Sequence, residues 1–273
     1  MSVSMGVETM ERGSPSWLQA FTAMAYRQLL RFRGARSRVA NAVVFPLIWL
    51  VFFGYGWSAA FNQLGPMSTR MFGGLSYLEY LAPGIIVMTV FTGGFGSGLG
   101  VIWDREFGYL KEILVSPAPR SAVLLGRITG DTLATMIQGT LMALLVSLAA
   151  DYTSPRGVLA GLAAALVAAY ASASIGTLIA LSMKSPEGFH MVVNLVMMPM
   201  LFLSGAFYPL DPLPGWVKAI AYVNPLTYAV DLTRGLMYGV HTLPLALDAL
   251  GLAVVTGMFT LAAVAKFSKT YIA

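Results

Sequence analysis

The chain alternates between long apolar stretches and short polar segments. Six stretches of about 20 residues contain no Asp, Glu, Lys or Arg, and that length lets an α-helix cross the hydrocarbon core of a bilayer. We therefore predict an all-α, polytopic membrane protein with six transmembrane helices. Residues 1–38 would form a cytoplasmic N-terminal segment and residues 39–273 the membrane domain. The predicted spans are residues 39–61, 81–103, 132–150, 157–183, 189–208 and 249–265.

A shorter amphipathic helix precedes the first predicted span. Seven apolar residues fall on one arc at about 100° per residue, while Arg27, Arg31 and Arg33 lie off that arc. Ser14 would cap the helix and Pro15 would occupy its first position. Such a helix lies along the inner membrane surface with its arginines toward anionic headgroups. It is either a simple anchor or a connecting helix that also touches a cytoplasmic partner. The arc consists of Trp17, Leu18, Phe21, Met24, Ala25, Leu29 and Phe32.

The segment between the second and third predicted spans is the most charged of the predicted inside loops. Its first half predicts a short helix with four apolar residues on one face, and the prolines at 117 and 119 end that helix. One interpretation is an ordinary solvated loop. The other is a rigid helix, held between two spans, that transmits force from a partner to the membrane. The apolar face consists of Phe107, Leu110, Ile113 and Leu114.

Residues 209–243, after the fifth predicted span, are interrupted by prolines. Residues 216–222 predict a short interfacial helix. Asn224 and Pro225 predict the cap and first turn of a second helix, which Gly239 would end. We expect two half-buried, re-entrant helices that form an outer lid. A seventh span is disfavoured because Asp231 and Arg234, which can pair at i,i+3, would lie in its middle. We expect this pair to be interfacial and worth about 1 kcal/mol or less.

The composition agrees with a membrane protein. Hydrophobic residues make up 57% of the 273 residues, charged residues 11%, and the mean hydropathy is +0.73, whereas soluble domains carry about 25% charged residues. The formal net charge of +5 does not indicate nucleic-acid binding, because the basic residues are not gathered into a patch interleaved with aromatics. Residues 1–38 lack the apolar core and cleavage site of a signal peptide, so we expect none.

The basic residues predict the orientation of the spans. With the N-terminus inside, 13 Lys and Arg residues fall on the inside and 4 on the outside, which is the bias of cytoplasmic loops. We therefore expect both termini to be cytoplasmic in an inner membrane. The outside residues are Arg70, Arg156, Lys218 and Arg234. The inside residues are Arg12, Arg27, Arg31, Arg33, Arg36, Arg38, Arg105, Lys111, Arg120, Arg127, Lys184, Lys266 and Lys269.

The sequence shows no motif for metal binding or for ATP hydrolysis. There is no cysteine and no phosphate-cradling Gly-x-x-x-x-Gly-Lys-Ser/Thr, and the two histidines, His190 and His241, are far apart, so we expect neither a metal site nor an ATPase in this chain. The glycine-rich stretch 93–100 indicates close helix packing, through Gly93 with Ser97 and Gly96 with Gly100. Acidic residues come near helix starts, as at Asp131, rather than inside spans. A carrier driven by an ion gradient usually needs such a group at the midplane.

The sequence resembles the type-two ABC exporter permeases, the family of daunorubicin-resistance, nodulation-factor and polysaccharide export permeases. Two stretches carry the resemblance. One runs from Asp104-Arg105-Glu106-Phe107-Gly108 through Leu114-Val115-Ser116-Pro117 to Leu124-Leu125-Gly126-Arg127. The other runs from Phe202-Leu203-Ser204-Gly205-Ala206-Phe207-Tyr208-Pro209 through Leu213-Pro214 to Asn224-Pro225-Leu226-Thr227-Tyr228.

The resemblance implies a division of roles along the chain. Residues 104–119 would contain a coupling helix that seats in an ATP-binding subunit, residues 16–32 a connecting helix on the same subunit, and residues 209–238 an outer gate. ATP and Mg²⁺ would be bound by that separate subunit, and two copies of each subunit would form the exporter. The implied coupling residues are Asp104, Arg105, Glu106, Phe107, Leu110 and Glu112. The implied connecting residues are Trp17, Phe21, Arg27 and Arg31. The implied gate residues are Tyr208, Pro209, Trp216, Asn224, Pro225, Asp231 and Arg234.

The substrate stays open at this point, between a drug-like molecule, a lipid, a glycolipid and a polysaccharide. An ion-gradient-driven secondary transporter is the alternative function. A membrane-embedded enzyme would need a nucleophile, a metal site or paired carboxylates, and none is legible. A passive channel or scaffold would leave residues 104–119 without a role.

Overall fold

The computed structural model describes residues 15–33, 44, 46–150 and 154–269, and all regular elements in these ranges are helical. A π-helical segment, Leu50–Tyr55, runs directly into the second helix. In chain order the α-helices are α1 (Trp17–Arg33), α2 (Gly56–Asn62), α3 (Pro66–Met71), α4 (Tyr77–Gly96), α5 (Gly98–Glu106), α6 (Tyr109–Val115), α7 (Arg120–Ala149), α8 (Pro155–Ala180), α9 (Pro186–Phe202), α10 (Gly215–Val223), α11 (Pro225–Tyr238) and α12 (Leu245–Ser268).

Four of these segments are long and apolar enough to cross a membrane. They are the α4–α5 pair Tyr77–Glu106, and α7, α8 and α12, which correspond to the second, third, fourth and sixth predicted spans. The fifth predicted span is shorter than expected, because α9 has 17 residues and the chain turns at Gly205, whose φ is +74°. The first predicted span is helical from residue 46 to 62, but residues 39–43 and 45 lie outside the described residues. The count of six therefore stays a prediction.

The start of α1 differs from the prediction. Ser16 and Gln19 cap the helix reciprocally: Gln19 N donates to Ser16 Oγ at 3.3 Å, and Ser16 N donates to Gln19 Oε1 at 2.9 Å. This is a capping box, so the helix begins after Ser16 and Pro15 is not its first residue. The predicted cap, Ser14, lies outside the described residues.

The helix α8 is the centre of the bundle. It packs against α4, α7, α11 and α12. Its inward positions are small, with Ala165, Ala168 and Ala169 fully buried. Small side chains let neighbouring backbones approach closely. Such close packing stabilises helix pairs in a membrane, where lipid is as apolar as the helices and no hydrophobic effect drives them together.

The glycine-rich stretch provides the closest of these approaches, as the sequence indicated, but through other residues. Gly94 and Gly98 face α8, where a Cβ on Gly98 would lie 2.3 Å from the carbonyl oxygen of Gly176. A Cβ on Gly96 would meet nothing within 4 Å. The predicted Gly93 and Gly100 face α7 instead, where a Cβ would lie 2.8 Å from Thr135 Cγ2 and from Arg127 Nη2, respectively.

We predict that Gly98→Ala destabilises the bundle, whereas Gly96→Ala leaves its stability unchanged or slightly raises it. The Gly98 methyl group would press on the α8 backbone, and overpacking of this kind costs about 1–3 kcal/mol. Thermal unfolding in detergent measures the effect. Equal melting temperatures for the two variants would contradict the close approach at Gly98.

Candidate functional site

One buried carboxylate holds together three helices at one end of the bundle. Asp104, on α5, is 1% exposed and receives three arginine side chains. From α1, Arg27 Nη2 lies 3.3 Å from its Oδ1 and Arg31 Nη1 lies 3.1 Å from the same oxygen. From α7, Arg127 Nη1 donates to its Oδ2. A carboxylate in a low-dielectric setting needs such partners, because an unpaired buried charge costs several kcal/mol.

A second carboxylate joins this cluster. Asp131 Oδ2 lies 3.8 Å from Arg127 Nε, one turn along α7. The sequence placed Asp131 near the start of a span, but α7 begins eleven residues earlier, at Arg120, so Arg127 and Asp131 both lie well inside the helix. Burial lowers the pKa of Arg31, while the neighbouring Asp104 opposes that shift. The three arginines and two aspartates leave one positive charge in excess.

The cluster corrects the predicted position of α1. Arg27 and Arg31 point toward Asp104 rather than toward lipid headgroups, because α1 packs along α7. The Phe21 and Ala25 backbones lie against Gly126 and Gly130. Trp17 Nε1 donates to Ser121 Oγ at 3.3 Å. The outer face of α1 keeps exposed apolar side chains: Trp17, Leu18, Tyr26 and Leu30.

The predicted coupling helix is divided into two by Gly108, which has a φ of +81°. The first part is the end of α5, and the second part is α6. Leu110 and Ile113 of α6 pack with residues of α7, α8 and α12, including Leu124 and Phe267. This face therefore fixes α6 on the bundle.

The opposite side of the α5–α6 turn is exposed. Phe107 is 73% exposed and Val115 is 71% exposed, and Tyr109 is half exposed. Glu106, Lys111 and Glu112 are also exposed. We call these six residues the docking edge. They combine apolar and charged groups on a short, rigid element.

Three predicted coupling residues lie away from this edge. Asp104 is committed to the arginine cluster, and Leu110 is 5% exposed and belongs to the bundle. Arg105 is partly buried and its Nη1 donates to the carbonyl oxygen of Met183 at 2.7 Å. Sequence periodicity missed this because it treated residues 104–115 as one helix. The remaining candidates, Glu106, Phe107 and Glu112, lie on the edge.

A second charged group lies at the other end of the bundle. Arg234, on α11, is 3% exposed. Its Nη2 donates to the carbonyl oxygen of Gly205 at 2.8 Å, and its Nε donates to that of Tyr80 at 3.3 Å. The guanidinium carbon lies 3.7 Å from the centre of the Tyr80 ring, and the Tyr80 hydroxyl donates to Gly205 as well. Arg234 thus ties the turn after α9 to α4.

The partner of Arg234 is also buried, which corrects the expectation of an interfacial pair. Arg234 Nη1 lies 3.9 Å from Asp231 Oδ1, and Asp231 is 5% exposed. The Asp231 carboxylate accepts the backbone N–H groups of Thr242 and Leu243 at 2.8–2.9 Å. Tyr80, Gly205 and Thr242 were not predicted as partners, although a charge inside an apolar segment is itself a signal that such partners exist.

The local structure around these residues follows the sequence closely. The two helices α10 and α11 lie where residues 216–222 and the Asn224-Pro225 pair predicted them. Asn224 Oδ1 accepts the N–H of Leu226 at 3.0 Å, Pro225 occupies the first turn, and α11 ends at Gly239. Of the other predicted gate residues, Tyr208 and Pro209 are partly buried and Trp216 is 71% exposed.

Comparison with known proteins identifies one family. Residues 19–238 match the family model described as ABC-2 type transporter. This range contains most of α1, the Asp104 cluster, the docking edge, and Arg234 with Tyr80, Gly205 and Asp231.

Individual relatives cover most of the chain. The protein ycf38 of Pyropia yezoensis is 33% identical over 239 residues, which are 84% of this chain and 77% of that protein. The daunorubicin resistance ABC transporter permease protein DrrB1 of Streptomyces coeruleorubidus is 26% identical over 217 residues, 78% of this chain and 73% of that protein. Nodulation protein J of Rhizobium leguminosarum bv. viciae is 28% identical over 238 residues, 86% of this chain and 87% of that protein.

We predict that Asp104→Ala severely destabilises the fold, because it leaves three arginines facing one another without their shared carboxylate. Removing one partner of a buried ion pair costs about 3–5 kcal/mol. Glu106→Ala, which removes an exposed acid two residues along, serves as the control and should retain the wild-type melting temperature. Similar melting temperatures for both variants would show that Asp104 does not hold the helices together.

We predict that Arg234→Ala is also severely destabilising, by about 3–5 kcal/mol, rather than mild as an exposed pair would be. The variant leaves the carbonyl oxygens of Gly205 and Tyr80 without their buried guanidinium donor. Arg70→Ala, which removes an exposed arginine from α3, should have little effect. Thermal unfolding in detergent compares the two, and a loss no larger than that of Arg70→Ala would contradict the buried site.

Proposed function

Since this chain belongs to the ABC-2 type transporter family and is thus a membrane permease subunit of an ABC transporter, we propose that it exports an amphipathic substrate with energy from a separate ATPase subunit. The ATPase would bind ATP and Mg²⁺ in its own polypeptide. Two copies of this chain and two ATPase copies would form the working exporter.

The docking edge is the observation that supports this proposal most directly. Phe107, Tyr109 and Val115 are exposed together beside the charged Glu106, Lys111 and Glu112, and in the proposed exporter this mixed apolar and charged surface is the one that the ATPase covers. The edge lies on an element that is fixed to three helices of the bundle through Leu110 and Ile113. A push on α6 therefore moves the ends of α7, α8 and α12.

The arginine cluster supports a second route for the same motion. Arg27 and Arg31 connect α1 to α5 through Asp104, and the Arg27 guanidinium also lies 5.5 Å from the ring of Tyr109. In the proposed exporter, α1 is the connecting helix that rests on the ATPase. ATP-driven closure would move α1 and α6 together, because Arg27 of α1 contacts both Asp104 and the Tyr109 ring of α6.

The orientation completes the proposal. The excess of basic residues at the α1 and α6 end favours a cytoplasmic position for the docking edge and both termini, in an inner membrane. In that orientation α10 and α11 lie at the outer side, where Tyr208, Pro209 and Trp216 would border the exit of the substrate. The Arg234 site would hold this lid to α4.

The substrate is supported only in its general class. DrrB1 is named for resistance to daunorubicin and the Rhizobium relative for nodulation, so the names of the relatives indicate no single substrate. We therefore propose a substrate that is drug-like, lipidic or a glycolipid. Membership of the ABC-2 family does not favour the alternative of an ion-gradient-driven carrier.

We predict that Phe107→Asp prevents capture of the ATPase. A charge placed at the centre of a docking surface costs several kcal/mol of binding free energy. This is enough to dissociate a complex whose Kd is micromolar. The measurement is a pull-down in detergent of this chain co-expressed with its ATPase, followed by ATP hydrolysis in lipid.

The matched control is Trp216→Asp, since Trp216 is 71% exposed but lies at the far end of the bundle. This variant should bind the ATPase like the wild type. Equal capture by both variants would refute the docking edge. Transport that follows an ion gradient without any ATPase would refute the proposed function itself.

A further inference from the structure

A long cavity runs beside α4 and α5. Its volume is about 690 Å³, within the range of roughly 300–1,000 Å³ that small-molecule sites have. Helices α1, α7 and α9 and the residues before the π-helical segment complete its wall. It extends from the level of Ile85 to that of Trp103, and 18 residues of helix correspond to roughly 27 Å. This is close to the thickness of the hydrocarbon core of a bilayer, about 30 Å.

One end of the cavity is apolar and aromatic. Trp49, Phe202 and Phe207 meet there, with ring centroids 5.2 Å apart for Trp49 and Phe207 and 5.5 Å apart for the two phenylalanines. Ile85 and Met88 of α4 line the same end. An alkyl or prenyl chain would be buried among these side chains without leaving any polar group unpaired.

The other end of the cavity is basic. Arg31 and Arg127 line it with Gln28 and His190, and one carboxylate, that of Asp131, lines it as well. Asp131 and Arg127 are neighbours, and Asp104 lies behind the arginines, outside the wall. Since the whole cluster carries one positive charge in excess, this end attracts an anion and repels a cation.

One hydrogen-bond donor at the basic end, Gln28 Nε2, has no partner among the described residues, and Gln28 is 4% exposed. Arg127 Nε, by contrast, faces Asp131 Oδ2 at 3.8 Å. Buried donors are nearly always paired. Gln28 lines the cavity beside the two arginines, so an anionic head at this end would offer its amide an acceptor.

We propose that this cavity binds an amphiphile with one anionic head, a phosphate or a carboxylate. Its head lies against Arg31, Arg127 and Gln28, and its chain extends toward Trp49 and Phe207. The identification of this amphiphile as cargo rests on the proposed export function, whereas the binding itself does not. A cationic amphiphile of the same length fits the apolar end equally well but meets the excess positive charge at the other.

The test uses the full chain in nanodiscs of a zwitterionic lipid, without any ATPase. Hexadecyl phosphate brominated in mid-chain is the first probe, because bromine quenches the fluorescence of nearby tryptophans and both Trp49 and Trp103 line the cavity. We expect saturable quenching by this probe. A brominated hexadecanoate tests the carboxylate head, and a brominated hexadecyltrimethylammonium tests the opposite charge. Equal or tighter binding of the cationic probe would overturn the proposal.

Two pairs of variants locate the binding site. Gly96→Leu fills the cavity from α4, where a Cβ meets nothing within 4 Å, and Gly257→Leu adds the same side chain to an equally open position on α12. We expect the first to abolish saturable quenching and the second to leave it unchanged. Arg31→Gln should weaken the anionic probe about tenfold, the value of one hydrogen bond to a charged group, whereas Arg70→Gln should not.

Unchanged binding in Gly96→Leu would place the probe elsewhere and refute the site. Capture of the ATPase is measured separately on the same variants. Gly96→Leu should still capture it, so a failure of the cavity proposal and a failure of the export proposal give different results.

Discussion

The carboxylate of Asp104 determines how one end of this molecule is built. Three guanidiniums from α1 and α7 converge on it, in a chain of which only 11% of the residues are charged. Such a group is stable away from water only when it is paired and hydrogen-bonded. Because the donors belong to two different helices, α1 cannot separate from the bundle without stranding charges on both sides. The position of α1 against α5 and α7 follows from that one requirement.

The same few residues connect three features of the molecule. Arg31 and Arg127 belong both to the Asp104 cluster and to the basic end of the cavity, and the docking edge begins only two residues after Asp104. In the proposed complex, an anionic head would share these guanidiniums with Asp104. The bound amphiphile and Asp104 would then pair with the same two arginines. Occupancy of the cavity would therefore change how strongly Asp104 holds α5 to α1 and α7. The apolar end of the cavity has no such connection, since Trp49, Phe202 and Phe207 carry no charge.

The sequence predicts the helices better than it predicts their partners. Hydropathy located the α4–α5 pair, α7, α8 and α12, and the caps of α11 could be identified because Asn224, Pro225 and Gly239 act through their own backbone. The burial of Asp104 and its pairing with three arginines could not be predicted, because these partners lie 23 to 77 residues away along the chain. Arg234 was placed at an interface for the same reason, since its acceptors are carbonyl groups of Tyr80 and Gly205, and a backbone carbonyl has no signature in the sequence. The division of residues 104–115 into two helices depends on the positive φ of one residue, Gly108. The apolar periodicity is evaluated over the whole segment, so it does not detect a change at one residue.

The Arg234 site has a consequence for how the chain is made. A chain is synthesised from its N-terminus, so Tyr80 and Gly205 have left the ribosome before Arg234 follows. A lone arginine at the centre of an inserting helix costs about 2.5–3.5 kcal/mol. Here Asp231, one turn earlier in the chain, travels with it as a counter-charge, and α4 is already in place to offer its carbonyl oxygen. The segment from α10 to α11 is thus assembled onto helices that were synthesised before it, and α4 acts as the intramolecular template on which Arg234 is placed before α12 follows.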